Sequence, residues 1–287
     1  MSQGQFAFLA DRGVVRVTGE DATHFLQGLI TNDIVLLERQ PAIHAGLLSP
    51  QGKILFEFIV TNYANGYLLD TAAASVPDLL GRLSLYKLRA KVGIDDASRA
   101  FRVTAIWGNG GPTFETDAVP DPRLADLGWR RLQGVDAPVK AAEWIEAGPE
   151  AYHAHRIALG VPEGGKDYVL GDTFPHEALF DQLNGISFDK GCFVGQEVVS
   201  RMEHRGTARK RIVPVEGAAA LTTGAEVRAG TAVIGTVGST AGPKGLALVR
   251  LDRAEEAIAR GQGLTAGGVA IRLKQPAWAR FKVPTAR

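Results

Sequence analysis

The apolar segments of this chain are short, and turn-forming residues cut them at close intervals. Residues 43–48 run into Ser49-Pro50-Gln51-Gly52, and the apolar runs 54–61 and 67–71 are joined around Asn65-Gly66. Proline and glycine at such spacing stop a helix before it is long, and Asn-Gly suits a tight hairpin. A chain punctuated in this way must fold as small units of short strands and helices. No stretch approaches the roughly 18 apolar residues of a membrane helix, so no membrane partner is expected. At 287 residues there is length for two or three domains, each with its own core.

The local patterns fill in that outline. Val14-Val15-Arg16-Val17 reads as a strand. A helix follows to about Ile30, with Thr18 or Gly19 as cap and Phe25, Leu26, Leu29 and Ile30 on one face. Ser75 with Pro77 opens a second helix, whose apolar face is Leu79, Leu80, Leu83 and Leu88. Strands are expected near 92–94 and 101–107. Strand, strand, helix, strand, strand over residues 54–107 suggests a small α+β unit of ferredoxin-like type. Residues 108–122 are rich in Gly, Pro, Asn, Thr and Asp and read as a boundary loop. Helix is expected over 138–159, broken near Gly148-Pro149, then irregular chain over 161–188 and a short helix over 196–202. From Arg211 onward, short Val- and Gly-rich strands with a helix at 252–260 read as a small barrel.

Lys190-Gly191-Cys192-Phe193-Val194-Gly195-Gln196-Glu197 carries the only cysteine of the chain. A lone cysteine excludes an internal disulfide framework and points to a reducing compartment. It cannot by itself hold an iron–sulfur cluster, which takes four ligands. A helix beginning near Gly195 would offer free N–H groups to a Cys192 thiolate, and Lys190 would add positive charge. The opposing reading is a small cysteine packed against Phe193. On spacing alone the two readings balance. Lys+Arg of 32 against Asp+Glu of 31 gives a net charge of +1, which does not suggest a dedicated nucleic-acid binder. The basic cluster Arg201, His204, Arg205, Arg209, Lys210 and Arg211 could meet an anion, although a solvated surface weighs more. The six histidines show no metal-ligand spacing with Cys192 and read as structural or surface residues. GxSxG, GxGxxG after a strand and GxxxxGK[ST] are all missing, so neither a serine nucleophile nor a nucleotide site is indicated. The start, Met1-Ser2-Gln3-Gly4-Gln5, lacks a signal-peptide pattern, and with the single cysteine this leads to the expectation of a cytoplasmic protein.

The octapeptide at 190–197, preceded by Asn184-Gly185-Ile186-Ser187-Phe188, resembles the K-G-C-[FY]-x-G-Q-E signature of the YgfZ group. These are folate-binding proteins of iron–sulfur protein maintenance, and the group includes mitochondrial late-acting assembly factors. It is similar to the aminomethyltransferase of the glycine cleavage system. Residues 17–33 and the Ser49-Pro50-Gln51-Gly52-Lys53-Ile54 turn match the superfamily pattern, and the resemblance spans nearly the whole chain. It implies an α+β fold of three domains around a central channel for a reduced folate. A discontinuous folate-binding domain (1–45 plus 134–206), a ferredoxin-like inserted domain (46–133) and a C-terminal β-barrel (207–287) are expected.

The resemblance also implies a function. Aminomethyltransferases carry G-G-x-x-D-D after this turn; here the stretch is Gly52-Lys53-Ile54-Leu55-Phe56-Glu57-Phe58, so one acidic position is apolar and Glu57 alone remains. Phenylalanine offers neither charge nor acceptor to a cationic one-carbon intermediate. Strand alternation sets Glu57 on the face opposite Phe56 and Phe58. The expectation is therefore an accessory factor for iron–sulfur enzymes, tRNA-modifying ones included, acting through Cys192 and Lys190. It would bind tetrahydrofolate or a derivative, hold no metal in the isolated chain, and work as a monomer with iron–sulfur carrier or target proteins. Folate contacts are expected from Asn32, Asp33, Arg156, Lys190, Glu197 and Arg201, with Arg156 in a segment resembling R-x-x-x-G-x-P. A folate-dependent one-carbon transferase is the alternative, and a tRNA-binding modification factor, with direct tRNA contact, is the less favoured third.

Overall fold

The computed structural model describes residues 4–108, 117–136, 144–206 and 208–285. In chain order the regular elements begin with β1 (Gly4–Phe8), β2 (Arg12–Thr18), α1 (Ala22–Gln27), β3 (Ala42–Leu48), β4 (Ile54–Tyr63) and β5 (Gly66–Ala72). Next come α2 (Val76–Lys87), β6 (Gly93–Asp96), β7 (Phe101–Trp107), β8 (Val119–Pro120), β9 (Trp129–Gly134) and β10 (Trp144–Glu146). Then follow α3 (Pro149–Leu159), α4 (Gln196–Arg205), β11 (Lys210–Gly217), β12 (Glu226–Ala229) and β13 (Ala232–Ala241). The last are β14 (Lys244–Arg250), α5 (Leu251–Ala259), β15 (Leu264–Ala266) and β16 (Val269–Leu273).

The chain falls into two compact units. The first takes Met1–Tyr152 and Leu183–Gln196, the second His153–Gln182 and Glu197–Arg287. The first unit holds two five-stranded sheets, in the orders β3-β4-β5-β2-β6 and β10-β1-β7-β9-β8. Within the first of these, β4-β5-β2-β6 with α1 and α2 is the strand order of a ferredoxin-like fold, every pair antiparallel, and β3 adds an edge. The ferredoxin-like expectation holds in type but not in extent. The unit begins at β2, not at residue 46, and β7 belongs to the other sheet. A boundary at 45/46 would cut β3, whose seven residues are all buried. Parts of the expected boundary loop (109–116) and of the expected 138–159 helix (138–143) lie outside the described residues, and within that expected helix Trp144–Glu146 is instead strand β10, paired with β1. Helix is present from Pro149.

Alternation along β4 explains the core. Phe56 and Phe58 are buried under α1 and α2 with Leu26, Ile30, Leu79 and Leu83, while Glu57 stands on the opposite face, half-buried. Behind the strands lies a buried charge network. Asp70 on β5 takes Arg12 Nε (2.7 Å) and Arg130 Nη1 (2.6 Å), and Asp121 takes Arg123 Nη2 (2.8 Å) and Arg130 Nε (3.1 Å). The Tyr152 hydroxyl receives one N–H from each of Arg123 and Arg130, at 3.0 Å. Burial works to raise the Asp121 carboxyl, but Arg123 and Arg130 hold it well below the usual carboxylate range.

In the second unit six strands close a barrel in the order β11-β14-β13-β12-β15-β16, which lies within the expected 207–287. Its interior is Val213, Val215, Val227, Ile234, Val249, Leu264, Ile271 and neighbours, with Ala254 and Ala257 of α5 packed against them.

Candidate functional site

Within the first unit a cleft of about 410 Å³ is lined by Pro122 and by residues from three further short pieces of chain. Asn32 and Leu36 follow α1, Ile43 and His44 come from β3, and Asn184 to Asp189 come from the returning segment. That segment is pinned by hydrogen bonds along its length. Thr31 Oγ1 donates to Gly185 O (2.6 Å), Ser187 N to Thr31 O (3.0 Å), and Asn184 Nδ2 to Pro122 O (3.0 Å). Asn184 has φ +55°, a conformation that asparagine tolerates better than most side chains.

Asn32 is buried, and its amide N–H groups donate to His44 O and Asn184 O, both at 2.8 Å. Its Oδ1 accepts from Asp33 N (2.8 Å) and keeps a second lone pair. Asp33 caps the short helical turn Ile34–Glu38 by accepting from Val35 N, and it also accepts from Gln27 Nε2. His44 lies across the floor. Its Nδ1 is 2.9 Å from Leu183 O, which can only accept, so Nδ1 carries a proton and donates. Its Nε2 is 3.1 Å from Glu57 Oε1. Strand register explains the pair: Glu57 stands opposite Gly46, two residues from His44 on the same face. The sequence reading treated His44 as structural or surface. Its signal was the His44-x-Gly46 pattern across from Glu57, visible only once the register of β3 and β4 is known.

Cys192 is exposed. It lies just past Lys190, whose place differs from the expectation. The Lys190 ammonium is not turned to the thiol. It donates to Gln27 O (2.7 Å), Ile30 O (2.8 Å) and Asn32 O (2.8 Å), and lies over the Phe193 ring at 5.4 Å. These are carbonyls at and beyond the C-terminal end of α1, where partial negative charge collects. They also account for α1 ending at Gln27 rather than Ile30, since the chain turns there to present its carbonyls. The helix expected from Gln196 is α4, and its first N–H is taken by Phe193 O (3.2 Å).

The remaining expected contacts are engaged elsewhere. Arg156 is buried in the second unit, with Asp167 Oδ2 at 2.7 Å, Glu163 Oε2 at 3.3 Å and Ser239 Oγ at 2.7 Å. Glu197 and Arg201 pair with each other at 2.5 Å on the exposed side of α4. None of the three lines the cleft. The basic cluster is partly neutralised. Arg211 meets Asp181 through both nitrogens at 2.9 Å, and the side chain of Arg205 lies outside the described residues. His176, Asp181 and Glu203 come within 4.8 Å of one another. Because Arg211 occupies both Asp181 oxygens and His176 meets Glu203 at 3.0 Å, the group is a hydrogen-bonded network rather than a cation cage.

The fold is that of an aminomethyltransferase. The crystal structure of the glycine cleavage system aminomethyltransferase T from Bartonella henselae superposes with a TM-score of 0.77 at 15% identity, covering 97% of this chain and 87% of that one. The C-terminal β-barrel domain of CAF17 matches residues 209–281 as a family. Among curated relatives, the iron–sulfur cluster assembly factor IBA57 of Homo sapiens is 33% identical over 258 residues, 82% of this chain and 72% of the relative. The IBA57 homologue of Mycosarcoma maydis is 36% identical over 237 residues, 75% of this chain and 57% of the relative. That of Neurospora crassa is 32% identical with 54% of it covered, so the chain spans little more than half of these two fungal proteins. The chain belongs to the IBA57 family of iron–sulfur cluster assembly factors. The expectation of a cytoplasmic protein is corrected by the same relatives, which are mitochondrial by name and point to mitochondria. A single cysteine reports only a reducing environment, which the mitochondrial matrix also provides.

Proposed function

We propose that the chain assists the assembly of iron–sulfur clusters in target enzymes, with Cys192 as its ligand to a cluster carried by a partner. The observation that carries this reading is the exposure of the only cysteine on a segment whose neighbours are hydrogen-bonded in place. One thiolate leaves most of a cluster's ligand positions to be filled, so the partner, an iron–sulfur carrier or target protein, supplies the rest. Iron–sulfur enzymes of tRNA modification are included among the targets, reached through their clusters. The partial neutralisation of the basic cluster supports this over direct RNA contact. In a strain lacking the protein, Cys192→Ser should fail to restore iron–sulfur enzyme activity. Full restoration would remove the thiol from the reading.

We further propose that the cleft takes the pterin end of a reduced folate. Its lining suits a flat, polar-edged ring: Ile43, Pro122, Ile186 and Phe188 offer apolar surface, and Asn32 Oδ1, Ser187 and Asp189 offer acceptors. A reduced folate would supply one-carbon or redox chemistry beside the segment that carries Cys192. Aminomethyl transfer is the weaker reading, since Phe56 replaces an acid and Glu57 is engaged by His44. Tetrahydrofolate titrated into the chain should quench tryptophan fluorescence saturably, and Asn32→Ala should weaken binding roughly tenfold. A flat titration would remove the folate from the reading.

A further inference from the structure

The segment Leu183–Gln196 is anchored on both sides of its thiol. On one side Ser187 Oγ accepts from Lys190 N (3.3 Å), and the Lys190 side chain reaches back to Gln27, Ile30 and Asn32. On the other side Gly195, at φ +81°, lies so close to the turn after β3 that an added Cβ would fall 2.6 Å from Ser49 O. Between these anchors Gly191 and Cys192 are exposed and Phe193 is buried.

We infer that Lys190 is a positioning residue, whose ammonium locks the Cys192 segment to the carbonyl end of α1 and to the backbone of Asn32 on the cleft wall. The inference rests on Cys192 being the working thiol. The match of groups is one to one: an ammonium has three N–H donors, and three carbonyl oxygens receive them. Two of those three contacts are buried, so removing the ammonium strands carbonyls that water does not reach. Arginine cannot copy the arrangement, because its donors lie in a planar fork whereas those of an ammonium spread around one nitrogen. The lock sets how freely the thiol moves. A thiol that shares a metal with ligands on another protein gains from being held in one place, since less freedom is lost on complex formation. Through Asn32 the same ammonium joins the thiol segment to the cleft, so a ligand that shifts Asn32 bears on the thiol as well.

Because the chain has one cysteine, a nitroxide label reports on this segment alone. On Cys192 of the full chain the label should give a broad, motion-restricted spectrum. In Lys190→Met it should narrow, with rotation at least threefold faster, and backbone amide exchange over 191–195 should rise tenfold or more while α2 stays unchanged. Lys190→Arg should fall between the two. Equal label mobility in wild type and Lys190→Met below the thermal transition would overturn the inference. So would a rise in exchange spread evenly over the first unit. Should Lys190→Met not fold, trace acetylation of the wild-type chain decides instead: Lys190 should react at least tenfold more slowly than exposed Lys91 and Lys274, and equal reaction refutes the lock. These readouts do not involve cluster transfer. A Cys192→Ser chain with full activity would defeat the proposed function and leave the label and acetylation results standing.

Discussion

Burial pushes the Lys190 ammonium down to about 8 from 10.5, against the upward pull of Asp33. The sign for stability follows from which state holds the proton. Between about pH 8 and 10.5 the unfolded chain keeps it and the folded chain releases it, so folding gains from this group as pH rises across that window. Wild type should therefore gain on Lys190→Met in denaturant unfolding as pH rises between those limits. A constant difference would show that the group titrates normally. The octapeptide made Lys190 and Cys192 legible as a pair, but not the direction of the side chain. Its three acceptors lie some 160 residues earlier, at Gln27, Ile30 and Asn32, and no local pattern announces them. The same distance hid His44, whose partner carbonyl at Leu183 comes from the returning segment.

At the scale of elements, the most exacting fit is the approach of Gly195 to the turn between β3 and β4. Gly195→Ala would place a methyl against backbone at Ser49 and Gly52 in a left-handed conformation. A loss of about 2–3 kcal/mol is expected in thermal unfolding, whereas Gly81→Ala, inside α2 where an added Cβ meets nothing within 4 Å, should gain about 0.5–1 kcal/mol. The charge network makes a second demand. Asp121→Asn leaves Arg123 and Arg130 short of a counter-charge in the interior, which should cost roughly 3–5 kcal/mol. In the native chain the stability contributed by ionised Asp121 is fully present above the ordinary carboxylate pKa and is lost progressively as pH falls from there through its own, much lower, titration. Acid unfolding of Asp121→Asn should lack this component, and an unaltered acid limb would show that the network contributes nothing. Alternation and turn chemistry disclosed β3 to β5, α2, α5 and the barrel strands β13, β14 and β16. They did not disclose partnership: that β2 joins β5 and β6 while β7 leaves for another sheet depends on long-range pairing.

For the whole molecule, the resemblance to the aminomethyltransferase superfamily anticipated the α+β fold and the closed barrel, and the superposition and the family match at 209–281 agree. The division of the chain was less legible, because a fold with a returning segment has boundaries that composition does not mark. That return has a consequence for biosynthesis. The cleft wall and the lock on α1 are supplied by Leu183–Gln196, which leaves the ribosome after thirty residues of the second unit, His153–Gln182. A nascent chain that has emerged only as far as Gln182 carries α1 with the carbonyls of Gln27, Ile30 and Asn32 still waiting for Lys190. The thiol thus arrives within the last segment of the first unit, just after the Lys190 that holds it.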